Sequence, residues 1–183
     1  MKRKRTEAGI AQVIEKRRNR VTEKQNWKSL FLRAAVLAVA GYVILTQVFL
    51  ITQTSGQGMF PSLKDGDLVI GFRLQLDQLS KKDVVVYTID GEQYIGRIVA
   101  GPSDVVDITE NGNLVVNGTT QSEEIMYPTY AGEKLEYPYR VPENSVFVLG
   151  DYRTRTVDSR NFEAIPLDAV DAKVITILRR RGL

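Results

Sequence analysis

Gly56-Gln57-Gly58-Met59-Phe60-Pro61-Ser62-Leu63, followed at once by Lys64-Asp65-Gly66-Asp67-Leu68-Val69, is the stretch on which the chain changes character. Upstream of it lies a long apolar run. Downstream, short β-branched runs alternate with turn residues, and Asp65-Gly66-Asp67 fits a tight turn leading into Leu68-Val69-Ile70-Gly71-Phe72. Further strands are predicted at 84–87, 94–99, 105–108, 114–116, 145–149 and 173–178. The pair 105–108 and 114–116 is joined through Asn111-Gly112, the dipeptide of a tight hairpin. No segment after the apolar run sustains a helical period. The expectation is a mainly β domain over residues 53–183.

The apolar run itself, Ala34 to Ile51, holds 18 residues without a charge. That approaches the ~20 residues a helix needs to cross hydrocarbon. Leu30-Phe31-Leu32 extend it, Arg33 can snorkel and Trp27 can sit at the interface. A transmembrane helix over residues 30–52 is predicted. A cleavable signal peptide is the competing reading, but Thr46-Gln47-Val48-Phe49-Leu50 offers no small-x-small cleavage site. Up to Arg33 there are 11 Lys and Arg against 3 acids, a net of +8, and the remainder carries a net of −5. Basic residues flanking a span mark its cytoplasmic side. Residues 1–29 are therefore expected as a basic cytoplasmic tail, solvated or lying on anionic lipid. The β domain is expected outside, on a single-pass protein of the cell membrane.

The chain contains no Cys and no His. Disulfides, thiolate chemistry, imidazole bases and the commonest metal ligand are excluded. No cofactor and no metal site are expected. A nucleic-acid binder spreads its basic patch over the folded domain, whereas here it is confined to the tail, so no nucleic-acid partner is expected.

Three segments in order carry a resemblance. The opening stretch resembles G-x-S-M-x-P-T-L, the nucleophile segment of type I signal peptidases, which cut with a serine activated by a lysine. Tyr94-Ile95-Gly96-Arg97-Ile98-Val99 resembles that family's lysine strand. Gly150-Asp151-Tyr152-Arg153-Thr154-Arg155-Thr156-Val157-Asp158-Ser159-Arg160 is similar to its G-D-N-R-x-x-S-x-D-S-R loop. The resemblance spans roughly residues 30–178. It implies a signal-peptidase-like β domain, of the LexA and signal peptidase type, behind one N-terminal transmembrane helix. It also marks Gly58 as the nucleophile position and Gly96 as the general-base position, with Tyr152 and Thr156 where the family has Asn and Ser. Met59, Pro61 and Leu63 keep the turn, Asp151 stands in the loop, and Asp158, Ser159 and Arg160 keep a structural ion pair.

By the same resemblance, substrate enters as an added strand between Gln53, Ser55, Gln57, Gly58 and Met59 on one side and Gln93, Tyr94, Ile95 and Gly96 on the other. Main-chain hydrogen bonds would hold it there. With glycine at both positions, the expectation is a catalytically inactive homologue, not an enzyme. It would serve as a chaperone or assembly factor for exported surface proteins, its client a pilin or a sortase of sortase-built pili. The alternative is an active signal peptidase altered at these two positions or using displaced residues, for which Ser55, Ser62, Lys64, Asp65 and Asp67 are the neighbours in sequence. A third expectation makes the segment 119–140 the working surface, because its acidic residues alternate with Tyr127, Tyr130, Tyr137 and Tyr139.

Overall fold

The computed structural model describes residue 15 and residues 26–74, 76–121 and 127–179, with the side chain of residue 77 left out. Most of the basic tail and residues 122–126 of the 119–140 segment lie outside the described residues. The chain divides into two units, residues 1–45 and residues 46–183.

The helix α1, Asn26–Val48, makes up most of what is described of the first unit and runs three residues past its end; its last stretch, Ile44–Val48, is π-helical. Its most apolar part is not buried at all within the protein. Phe31, Leu32, Leu37 and Val39 are each more than 60% exposed. A helix apolar on every side is stable in hydrocarbon rather than in water, and α1 is long and apolar enough to cross a bilayer. It ends earlier than the sequence suggests: Phe49 to Thr52 belong to a strand.

The second unit is built from eleven strands. These are β1 (Phe49–Gln53), β2 (Leu68–Phe72), β3 (Val84–Ile89), β4 (Glu92–Ala100), β5 (Val105–Ile108) and β6 (Leu114–Val116). They continue with β7 (Thr119–Thr120), β8 (Tyr139–Arg140), β9 (Ser145–Leu149), β10 (Ile165–Pro166) and β11 (Val170–Leu178). Seven form one antiparallel sheet in the order β1-β2-β11-β3-β4-β9-β10, and four form a second in the order β7-β6-β5-β8. Among the described residues of this unit, regular α-helix is confined to the single turn α2, Ser159–Phe162. Every strand expected from the β-branched runs is present, and β5 pairs with β6 across Asn111-Gly112.

Successive side chains of a strand point to opposite faces, and two strands here use both faces as core. In β3, Val85 packs with Tyr87, Ile98 and Val148, whereas Val86 packs with Met59, Leu63 and Val69. In β9, Val146 and Val148 join the first of these clusters, while Phe147 and Leu149 pack with Val106, Val116 and Val141 beneath the second sheet. That is why β3 and β9 read as unbroken apolar runs. The 119–140 segment is less of a free surface than its composition suggests. Tyr137 and Tyr139 pack against the Phe147 cluster and Tyr127 stacks on Tyr152 at 4.3 Å, which leaves Tyr130 as the tyrosine most exposed.

Candidate functional site

Register defines the site. Along β1, Thr54 N donates to Asp67 O and Val48 O accepts from Arg73 N, with Phe49 opposite Phe72 between them. Antiparallel pairing alternates, so the even-numbered residues bond to β2. Phe49, Ile51 and Gln53 turn their main-chain groups away from it. Along β4, Ile98 N donates to Asp83 O, so even-numbered residues bond to β3 and the odd ones face the opposite edge. Arg97 there pairs with Leu149, but β9 ends at that residue. Gln93 and Ile95 are left with an open edge.

The two open edges face each other. The Thr52 hydroxyl donates to Gln93 Oε1 at 2.6 Å, and Leu50 and Ile95 both pack on the Met59 cluster. Between them runs a cleft of about 450 Å³, walled by residues 53–59 on one side and by residues 92–95 on the other, and lined also by Leu63, Arg155, Thr156 and Val157. Four antiparallel steps separate β1 from β4, so both run in the same sense. An inserted strand meets both in one orientation. The structure thus brings Gln53, Ser55, Gln57, Gly58, Met59, Gln93, Tyr94 and Ile95 to one cleft. Gly96 lies at the end of its open edge, with its backbone bonded toward β3.

The two glycine positions differ in their surroundings. Neither has positive φ. A Cβ at Gly58 would lie 3.1 Å from Thr156 Oγ1, a hydroxyl whose own contact to Val157 O is a long 3.5 Å. A Cβ at Gly96 would lie 2.5 Å from Val148 Cγ1 and 3.3 Å from Leu149 O, with the Tyr87 ring 3.5 Å away. Tyr87 and Val148 fill the space a side chain at 96 would need. Burial pushes the Tyr87 hydroxyl above the usual phenol range, and the charge of Asp158 adds to that. Among the described residues, no three carboxylates gather as a metal ion would require.

Beside the cleft, the loop is held by two buried carboxylates. Asp158 receives Arg160 Nε on Oδ1 and Nη2 on Oδ2, both at 2.9 Å, and also accepts from Arg160 N and Gly150 N. It caps α2 reciprocally with Asn161. The Ser159 hydroxyl accepts from Val148 N at 2.9 Å, tying the loop to β9. Asp151 takes Arg97 Nε and Nη2 at 2.9 and 2.6 Å. The turn carrying Gly58 is fixed to this loop through Tyr152 N, which donates to Gly58 O at 3.0 Å. Ser62 is drawn to Arg97, and Asp65 and Asp67 are spent on the amides of Gly56 and Lys64. The Arg97–Asp151 pair is not foreseen in the sequence; only the outward parity of Arg97 on β4, legible once the strands are paired, points to it.

A family model described as signal peptidase, peptidase S26, matches residues 25–178. Signal peptidase I of Bacillus licheniformis is 30% identical over 161 residues, covering 80% of this chain and 83% of the relative. Signal peptidase IB of Staphylococcus aureus is 30% identical over 167 residues, covering 80% and 84%. A solved signal peptidase I from Enterococcus faecalis aligns with 26% identity and a TM-score of 0.46, covering 54% of this chain and 97% of that one. The expectation that the chain is not an enzyme does not stand. It rested on glycine at positions 58 and 96, and relatives matching four fifths of the chain are named as peptidases. The chain belongs to the signal peptidase, peptidase S26, family.

Proposed function

We propose that this protein captures an extended segment of an exported polypeptide as an added strand between β1 and β4. The pair of facing open edges carries this reading, since the outward main-chain groups of Gln53 and of Gln93 and Ile95 can bond a guest strand from both sides. The walls are Gln53, Ser55, Gln57, Gly58 and Met59 opposite Gln93, Tyr94, Ile95 and Gly96. In the same reading α1 anchors the protein in the cell membrane, with the basic residues before it cytoplasmic and the β domain extracytoplasmic. The charge asymmetry supports that orientation. The finer reading makes the protein an assembly factor that handles surface proteins as they emerge, with a pilin passed to a sortase as the client. Family membership and a cleft able to hold a strand support it.

One experiment tests site and orientation together. A fluorescent, membrane-impermeant peptide from an exported precursor is titrated against the full-length protein in detergent and in right-side-out membrane vesicles. Gln53→Pro removes an outward N–H while leaving the β1–β2 ladder whole, because proline is tolerated where the N–H faces away from the sheet. It should weaken binding about tenfold, the loss of roughly one well-made hydrogen bond. Equal affinity for the variant would move the site out of this cleft. Binding in detergent but not in vesicles would reverse the orientation. Mass spectra of the same samples report any cut in the bound segment.

A further inference from the structure

Resting on that reading, we infer that the cleft selects segments carrying an apolar side chain and, two residues along the strand, a hydroxyl or amide side chain. Gln93 and Ile95 are two apart in β4, so their side chains leave the same face of the strand. At the level of Ile95 the cleft wall is apolar: Met59 and Leu63 line it there and belong to the cluster on which Ile95 packs. At the level of Gln93 it is polar, because Thr52 reaches from β1 to bond that glutamine across the cleft at 2.6 Å. The Thr52 hydroxyl occupies Gln93 Oε1, which leaves the amide NH₂ to donate to a guest side chain. A guest strand inserted between β1 and β4 rises ~3.3 Å per residue. It therefore presents same-face side chains at the same interval as Ile95 and Gln93, and its neighbouring side chain points the other way.

The chemistry of the second position follows from what the bridge offers. Amide N–H groups left unmet by an apolar guest would lose their water without a replacement, which costs more than the bond returns when made. A hydroxyl or a side-chain carbonyl meets them. A carboxylate would meet them too, but giving up its hydration for a neutral amide costs it more than an uncharged acceptor loses. The pattern is thus apolar-x-polar in either chain direction, with the polar residue uncharged or at least not acidic.

The test uses short fluorescent peptides that differ at one position. Each carries valine, with asparagine, leucine or aspartate two residues away, made in both orders and titrated by anisotropy against the full-length protein in detergent. The asparagine peptide of one order should bind about fivefold more tightly than its leucine and aspartate counterparts, a difference the size of one hydrogen bond. Gln93→Leu should bring the asparagine peptide to the same affinity as the leucine peptide, whatever affinity the two then share. Thr52→Ser, which keeps the bridging hydroxyl, should retain it. Equal binding of asparagine and leucine peptides by the unaltered protein overturns the selectivity alone, as does a preference that survives Gln93→Leu. No binding of any peptide overturns the proposed function, and the selectivity with it.

Discussion

The floor of the cleft and the loop beside it are built on opposite principles. Gly58 contributes only backbone to the cleft and Gly96 stands just past its lining, so what a guest strand would meet in the proposed reading is two rows of main-chain groups with a few side chains around them. The loop 150–160 is dense with side-chain bonds: two arginine–carboxylate pairs, a reciprocal helix cap and a serine holding a strand amide, all largely shielded from water. A site that binds through main chain tolerates variety in what it binds. It does so only if something else fixes the position of its edges. The loop supplies that rigidity, since Gly58 O is held by Tyr152 N and β4 is held by Asp151 through Arg97.

The largest expected effect comes from breaking the loop. Removing one partner of a buried pair strands the other charge, at a cost of about 3–5 kcal/mol. Asp158→Ala should reach that range, because it also uncaps α2 and leaves Gly150 N without its acceptor. Arg160→Ala should cost less. Asp158 then still accepts from Gly150 N and the backbone N of residue 160, and the arginine's other bond is a single one to Tyr130 O. Denaturant unfolding of the full-length protein in detergent measures both. Equal losses, or a greater loss for Arg160→Ala, would mean that the cap and the Gly150 amide add little.

The two glycine positions answer differently. Position 96 is closed. A methyl there meets the Val148 side chain at 2.5 Å and the Leu149 carbonyl at 3.3 Å, so Gly96→Ala should destabilise by about 1–3 kcal/mol through overpacking. Pairing it with Val148→Ala should give less than the sum of the two single losses, because one truncation makes room for the other addition. Strict additivity in unfolding measurements would show that β4 shifts instead of pressing on Val148.

How much of this could be read in the sequence depends on how far apart the partners lie. The strands are legible because β-branched runs between turn residues declare themselves locally, and Asp158 with Arg160 because the loop resembles the family's motif and only Ser159 separates them. The end of the apolar helix α1 is not. Phe49-Leu50-Ile51-Thr52 is apolar enough to continue a span, and hydrophobicity alone cannot distinguish a strand packed on Met59 and Val69 from one more turn in lipid. Arg97 and Asp151 stand 54 residues apart, and only the β4–β9 register brings them together. The tyrosines of 119–140 looked exposed because acidic neighbours surround them, yet Tyr137 and Tyr139 cover a core cluster. The motifs name stretches of chain that line one cleft, except that Gly96 is not among its lining residues. The selectivity proposed for it depends on which face each residue takes, which only the strand pairing reveals.

The smallest expected effect is the most informative about position 58. A Cβ there would stand 3.1 Å from Thr156 Oγ1, close but against a hydroxyl that can turn, and the backbone is already in a region open to any residue. Gly58→Ser should change stability by no more than about 0.5 kcal/mol, the range of substitutions that disturb no packed group. The new hydroxyl would find Thr156 as its partner, since the bond from Thr156 to Val157 O is long enough to be given up. Thr156→Val removes that partner while keeping the volume. A double-mutant cycle should therefore show coupling of about 0.5–1.5 kcal/mol between the two changes, the worth of one hydrogen bond. A loss beyond about 2 kcal/mol for Gly58→Ser alone would show that the turn cannot admit a side chain. The likeness to the nucleophile segment would then hold in sequence but not in the space around residue 58. Zero coupling with a small single loss would place the new hydroxyl facing the cleft instead, within reach of a guest strand.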